Sequence, residues 1–366
     1  MATKDGARGR LRTFPLRVEP LPGEAIDSWL EAVARAHGAT FGSVLDQCGI
    51  APSSLARRPW RQIFLSPSPS VISDIAYATG MSVEAVRATT PSSVQGESVL
   101  DRYRWAWRCS SRACPRCLAE TGGRWYLRWR HNLCFVCTKH NCVLIDTCAS
   151  CGRPWRTRQH HVSLIPQACR CANPSNAAVL GAGVTCGAYL PAVEPIVLPD
   201  DHSASRAQRL IVDLAADQHV PLGLYGVPVR SGEVLGDLRV LARWMLSAVE
   251  LIVLERILAT VGAAVPGVHT GPTATDPDRF TQIPGLHPVA IDMATGYALA
   301  LEVLDSPTPR AAHDLLVLVM VEVRPEWALR LVRGRGRKDV SEDVSAVVMS
   351  SFNSVFRGRS APVSRI

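Results

Sequence analysis

Cysteines constrain this chain more than any other feature: twelve stand in 366 residues, and ten of them fall between Cys109 and Cys171. The N-terminus is basic and has no apolar segment behind it, so we expect no secretory signal and a cytoplasmic location. Cytoplasmic proteins rarely hold their cysteines in disulfides. The cluster therefore predicts metal binding.

Their spacing predicts a first zinc site. Cys114 and Cys117 form a CxxC pair, and nineteen intervening residues separate it from the CxxH pair of Cys137 and His140. Two residues between ligands let a tight turn aim both at one ion. Four such ligands suit tetrahedral Zn²⁺ and leave no open position for catalysis.

A second CxxC pair, Cys148 and Cys151, predicts a second zinc site, which gives two Zn²⁺ ions per chain. Cys171 repeats the gap of nineteen residues, and Cys186 is followed by a glycine that lets the backbone close around sulfur. These four cysteines form the predicted site, with Cys169 as the alternative to Cys171.

The remaining cysteines have no partner at ligand spacing. Free cysteine packs as a small hydrophobic residue, so we expect these four to fill apolar positions. His160 and His161 lie between the second site's ligand pairs and are weaker alternatives to its cysteines. The four are Cys48, Cys109, Cys134 and Cys142.

Charge is concentrated in the same part of the chain. Residues 101–170 hold 13 Lys or Arg against 3 acids, a net +10 where the whole chain carries +8, and five of the nine tryptophans. Basic and aromatic residues together indicate a nucleic-acid surface, and the alternative is a solvated face over a thin core. The candidate contacts are Arg87, Arg124, Arg128, Arg130, Arg153, Arg156 and Arg158.

A helix-turn-helix pattern precedes the cysteines. Two crossing helices need a small residue at the crossing, a glycine in the turn and a residue of the second helix that packs against the first. The spacing of Ala76, Gly80 and Val86 fits these three positions. An ordinary helical hairpin fits the pattern equally well. The second helix, 82–89, offers only Arg87 for DNA contact, which weakens direct base reading.

We predict a predominantly α-helical protein with a small zinc-stabilised α+β module. The expected regions are a disordered leader at 1–13, a helical part at 14–100, the double zinc module at 101–190 and a helical domain at 191–366. Short strands are expected at 125–129 and 143–145, and a linker at 266–284. Helical periodicity is seen at 26–34, 41–47, 205–217, 231–261, 287–304, 309–321, 325–334 and 340–357.

Several classes of protein are excluded or disfavoured. The most apolar stretch, 244–261, contains Glu250, Glu255 and Arg256, so we expect no membrane helix. We find no nucleophile elbow, Walker A loop, dinucleotide glycine motif or HExxH, and the zinc segment has no paired acids for two-metal cleavage. We therefore expect no enzyme.

Two segments resemble the TniQ family, which includes TnsD-like proteins. The first runs from Pro20 to Leu30 (PLPGEAIDSWL), and the resemblance as a whole covers roughly residues 14–190. The second segment includes Cys114–Glu120, Trp125, Leu127, Trp129, Arg130, Val136–His140, Leu144, Asp146 and Cys148–Gly152. The resemblance implies a non-catalytic adaptor for transposition, which recognises target DNA, or a guide-RNA effector bound there, and recruits an AAA+ ATPase. It does not decide the oligomeric state, and a homodimer is one of the options.

Two other functions stay open at this point: a zinc-containing transcriptional regulator and a scaffold that binds only proteins. For the adaptor, the segment 21–29 is a candidate face for the ATPase because tryptophan is enriched at interface hot spots. The alternative is that Trp29 belongs to the core, on one helical stripe with Ile26 and Val33.

Overall fold

The computed structural model describes residues 13–50, 64–91, 110–156, 162–175, 185–226, 229–266, 289–323 and 340–356. Predictions for 1–12, for the linker after Pro266, for the helical segment 325–334, and for Cys109, Arg158, His160 and His161 lie outside this range.

The prediction of a mostly helical protein is confirmed: the described residues form eleven α-helices and one two-stranded sheet. The helices are α1 (Ile26–Ala36), α2 (Phe41–Gln47), α3 (Pro69–Thr79), α4 (Val83–Ala88), α5 (Pro115–Glu120), α6 (Ser203–Ala215), α7 (Ser231–Ala248), α8 (Leu251–Thr260), α9 (Ala290–Leu304), α10 (Pro309–Val321) and α11 (Glu342–Phe356).

The described chain divides into two compact units. The first contains the described residues up to Asn132 and those of Ile145–Glu194. The second contains Leu133–Leu144 and the described residues from Pro195 onward.

In the first unit, α1 to α4 surround an apolar core. The α1 stripe of Ile26, Trp29 and Val33 is buried there. Trp29 is 0% exposed, and its indole Nε1 donates a hydrogen bond to the Val18 carbonyl at 2.8 Å. Trp29 is therefore a core residue, and its ring is not available at a partner face.

Helices α3 and α4 form the predicted helical hairpin. Ser68 and Ser82 cap the two helices with their hydroxyls, and Gly80 ends α3 in the left-handed conformation at φ 67°. Only a glycine adopts this conformation without strain, which explains the turn. Ala76 and Val86 are buried as the pattern requires. That this hairpin binds DNA remains a prediction.

Residues 110–194 have little regular structure. The strand predicted at 125–129 is wrong: Leu127–Arg130 forms a short 3-10 helix. Leu127, Trp129 and Arg130 are all buried, which a half-exposed strand with a period of two does not permit. Tyr126, just before this helix, makes a single antiparallel bridge with Glu24.

The strand predicted at 143–145 is present in part. In the second unit, β1 (Val136–Cys137) pairs antiparallel with β2 (Cys142–Val143), in the register Val136 to Val143 and Cys137 to Cys142. In the first unit, Ile145 makes an isolated bridge with Ala113.

Helix α9 is the centre of the second unit and packs against α6, α7, α8 and α10. A Cβ on Gly296 would lie 2.6 Å from Leu246 Cγ, so the glycine permits the close approach of α7 and α9. The segment predicted at 231–261 forms two helices, because the backbone is extended at Val249 and Glu250. Within the described residues, no helix is long and apolar enough to span a membrane.

Candidate metal centres and basic residues

Cys114, Cys117, Cys137 and His140 form one cluster, with one ligand atom from each lying within 4.8 Å of the others. Cys114 caps α5: its Sγ accepts the Cys117 amide at 3.5 Å, which turns both thiols the same way. Cys137 ends β1, and the turn to β2 places Asn141 at φ 43°, a conformation that asparagine tolerates well.

Cys148, Cys151, Cys171 and Cys186 form the second cluster, under the same 4.8 Å limit. Gly152 and Gly187 follow two of the ligands at φ 69° and 67°, a conformation that favours glycine. The Gly187 amide donates to the Cys171 carbonyl at 3.0 Å, which ties the last two ligands together.

Both clusters fit a tetrahedral zinc ion. Zn–S and Zn–N bonds of about 2.3 and 2.0 Å imply edges of roughly 3.8 Å between sulfurs and 3.6 Å between sulfur and nitrogen. Cys148 and Cys186 are 3.8 Å apart at sulfur, and Cys151 and Cys171 are 3.9 Å apart. Cys137 Sγ and His140 Nδ1 are 3.6 Å apart. A four-ligand site of this kind has no position left for a substrate.

Cys169 stands apart from the second cluster. Its thiol donates to the Leu118 carbonyl at 3.4 Å, and burial raises the pKa of the thiol. A Cβ on Gly123 would lie 2.5 Å from the Cys169 amide nitrogen, so the two backbones touch. Of the other cysteines, Cys48, Cys134 and Cys142 are buried outside both clusters.

Two of the predicted nucleic-acid contacts are engaged with acids of α1. The Arg130 guanidinium, 2% exposed, donates to Asp27 Oδ2 at 2.6 Å. Arg156 reaches the same oxygen at 2.7 Å and also binds Glu31 at 3.0 Å. Burial alone would raise the pKa of Asp27, but these two arginines lower it to about 2.

A third, Arg124, makes a two-pronged pair with Glu24, at 2.6 Å on each carboxylate oxygen. Ser28 donates to Glu24 at 2.7 Å and accepts the Trp125 amide at 2.8 Å. The acids and the serine of the PLPGEAIDSWL segment thus hold the N-terminal helices to the cysteine-rich segment.

Three of the predicted contacts are exposed. Arg87 lies in the last turn of α4, and Arg128 stacks on the Tyr126 ring at 4.6 Å. Arg153 donates to the Pro174 carbonyl at 2.8 Å. These three exposed arginines therefore have a different environment from the three that are paired with acids.

Sequence reasoning missed a fourth buried pair. Arg112 is 0% exposed, and its Nε donates to Asp146 at 2.9 Å while Nη1 donates to the Asn132 carbonyl at 3.1 Å. Beside it, burial and then the charge of Arg112 lower the pKa of His131 to about 4. The position of Arg112 two residues before Cys114 gave no signal of this pairing.

Comparison with known proteins gives one family. The TniQ family model matches residues 15–144, which include the PLPGEAIDSWL segment and the Cys₃His cluster, so the predicted resemblance is confirmed. No curated protein matches the chain.

Proposed function

We propose that this chain is a non-catalytic adaptor that selects target sites for DNA transposition. It binds target DNA, or an effector already bound there, and recruits an AAA+ ATPase in the cytoplasm. The observation that carries the proposal is the match of residues 15–144 to the TniQ family, which implies a transposition-associated role in target selection.

The chemistry of the clusters supports an adaptor. Cys₃His and Cys₄ sets with four protein ligands are typical of structural zinc, whereas catalytic zinc keeps a position for water or substrate. In this proposal the ions hold residues 110–190 in shape. The resulting module presents the exposed arginines Arg128 and Arg153 to the DNA backbone.

One arrangement in the second unit has the side chains of a hydrolytic triad. His313 lies 2.9 Å from Asp314 Oδ1 and 3.0 Å from Ser354 Oγ. Ser354 lies inside α11, however, and its hydroxyl also bonds the Ser350 carbonyl at 3.0 Å. Backbone amides inside a helix are already bonded and do not form an oxyanion hole, so the trio does not support catalysis.

The test is reconstitution with an AAA+ transposition ATPase and a transposase, taken from the neighbouring genes where the locus encodes them. We expect the chain to bind the target duplex and to retain the ATPase on it. Cys151→Ser should abolish both and reduce zinc from two ions to one. Cys169→Ser is the matched control, because this nearby thiol lies outside the cluster, and it should keep both ions and both activities.

The other outcomes separate the alternatives. DNA binding without ATPase retention, at a locus that encodes no transposase, would favour a transcriptional regulator. ATPase retention without salt-dependent DNA binding would favour a protein-only scaffold. Binding that requires a guide-RNA complex would assign the target recognition to that complex.

A further inference from the structure

A cavity of about 710 Å³ opens in the first unit. Its walls come from α1 and α2, from Trp125 and Trp155, and from the segment 163–173 that carries Cys171. Cavities of 300–1,000 Å³ are the size that holds ligands in proteins.

Arg35 gives this cavity a cation that no described residue holds in a hydrogen bond or close ion pair. Asp27, Glu31 and Arg35 follow one another at intervals of four along α1, so they share a helix face. Glu31 would be the usual partner of Arg35, but both of its carboxylate oxygens accept hydrogen bonds from Arg156. Among the described residues, Arg35 has no hydrogen-bond or ion-pair partner.

The surroundings of Arg35 favour an incoming anion. Burial lowers the pKa of its guanidinium, Glu31 and Glu24 raise it, and repulsion from Arg124 and Arg156 lowers it. A second cation, Arg170, lies on the cavity wall and is exposed. A carboxylate at Arg35 would relieve this repulsion and form a two-pronged pair.

The rest of the wall is mixed: its larger part is apolar, and its polar side chains come from Thr40, Ser163, Gln167, Asn173 and Thr185. Phe41, Leu164, Ile165, Pro166 and Leu190 line the cavity, and the Ile165 side chain is 49% exposed. A ligand that fills this space therefore combines an acidic group with apolar groups.

We propose that the cavity binds a short segment of a partner protein, with an Asp or Glu on Arg35 and neighbouring apolar side chains against Ile165. A nucleotide fits less well. Single-stranded nucleic acid binds by stacking on open aromatic faces, and the wall tryptophans Trp125 and Trp155 are only 6% and 2% exposed.

This inference rests on the proposed function only in assuming a protein partner. A library of random heptapeptides displayed on phage, selected on the full zinc-loaded chain, tests it without any transposition component. We expect selected peptides to share one acidic residue flanked by apolar ones. Synthetic versions should bind Arg35→Gln at least tenfold more weakly than the wild type, while Arg35→Lys should lose less.

Arg243→Gln is the matched control, because this arginine is exposed on α7 and should bind the peptides as the wild type does. Zinc content and circular dichroism establish that each variant is folded. Peptides without an acidic residue, or equal binding to Arg35→Gln, would overturn the proposal. So would a loss of oligo(dT) or duplex binding in Arg35→Gln with peptide binding unchanged. Failure of transposition with peptide binding intact would count against the proposed function alone.

Discussion

Two regions of this protein reach a folded state by different means. In the second unit, α7 and α9 are 18 and 15 residues long and bury apolar side chains against each other. Between residues 110 and 194, α5 has six residues and the 3-10 helix at Leu127–Arg130 has four. Helices this short are not stable on their own and depend on contacts with other parts of the chain. Buried ion pairs supply such contacts there, and the two Cys and His clusters would supply more when they hold an ion.

Buried acids in the two units differ in the kind of partner that they bind. In the second unit, the buried Asp237 accepts the Tyr225 hydroxyl at 2.7 Å and the Ser341 amide at 2.8 Å, which fixes the start of α11. In the first unit, the buried acids bind arginines about a hundred residues away. Both units thus use buried acids to join distant parts of the chain, but the first unit pairs them with arginines and the second with a hydroxyl and a backbone amide.

Removing zinc should have the largest effect. Structural zinc contributes on the order of 10 kcal/mol of apparent binding free energy in small zinc peptides, and much of it is folding free energy. We expect a strong chelator to expose amides of residues 110–190 to hydrogen exchange, while the amides of α9 stay protected. The measurement is exchange followed by mass spectrometry.

Cys117→Ser should reproduce this loss for the first cluster, and Cys134→Ser, a buried cysteine outside it, should keep two ions per chain. Equal loss of protection in α9 and in residues 110–190 would show that the two regions unfold together and break the comparison.

Breaking the buried ion pair should come next. Arg130→Met leaves the Asp27 carboxylate buried with one partner fewer, and removal of one member of a buried pair costs about 3–5 kcal/mol. We expect the lower end of this range because Arg156 still binds Asp27. Urea unfolding measures it, and the exposed Arg243→Met is the control, expected within about 0.5 kcal/mol.

The second step of this experiment is the double variant Asp27→Asn with Arg130→Met. It should recover part of the loss, because the uncompensated charge is gone. A double variant as unstable as the sum of the two single ones would show that the pair itself adds no coupling.

The buried arginines show which contacts a single sequence does not predict. The cysteine spacing fixes local turns, and the structure brings the same eight residues into two clusters. Helical periodicity predicted α2 and α10 to the residue because both depend on local pattern. The role of Arg124, Arg130 and Arg156 depends on acids about a hundred residues away. One sequence gives no sign of that pairing, so they were assigned to nucleic acid with the exposed arginines.

Acid should destabilise the first unit through His131. Its pKa is about 4 in the folded chain against an ordinary 6.5, so between these values the unfolded chain binds more protons. Stability therefore falls as pH falls through this window, by about 2 kcal/mol between pH 7 and 5. Asp27 adds a further loss only below about pH 4, as its folded pKa is about 2.

Protons also compete with zinc for the thiolates, so the informative quantity is a difference between two variants. His131→Gln keeps all eight ligands and should show a pH dependence smaller by the His131 contribution. The same slope in His131→Gln and in the wild type would mean that His131 is protonated alike in the folded and unfolded chains.

The smallest effect on stability should come from an exposed arginine of the same segment. Arg128→Gln removes a guanidinium that stacks on Tyr126 from the solvent side, so we expect unfolding to change by less than about 0.5 kcal/mol. If Arg128 contacts a phosphate, the negative slope of log K against log salt for duplex binding should become shallower by about 0.9. Arg130→Met, two residues away, should instead lower stability and leave the slope of the folded protein unchanged. An unchanged slope in Arg128→Gln would remove Arg128 from the DNA surface, whereas a reduced slope would separate the arginines of this segment into those that hold the fold and those that bind DNA.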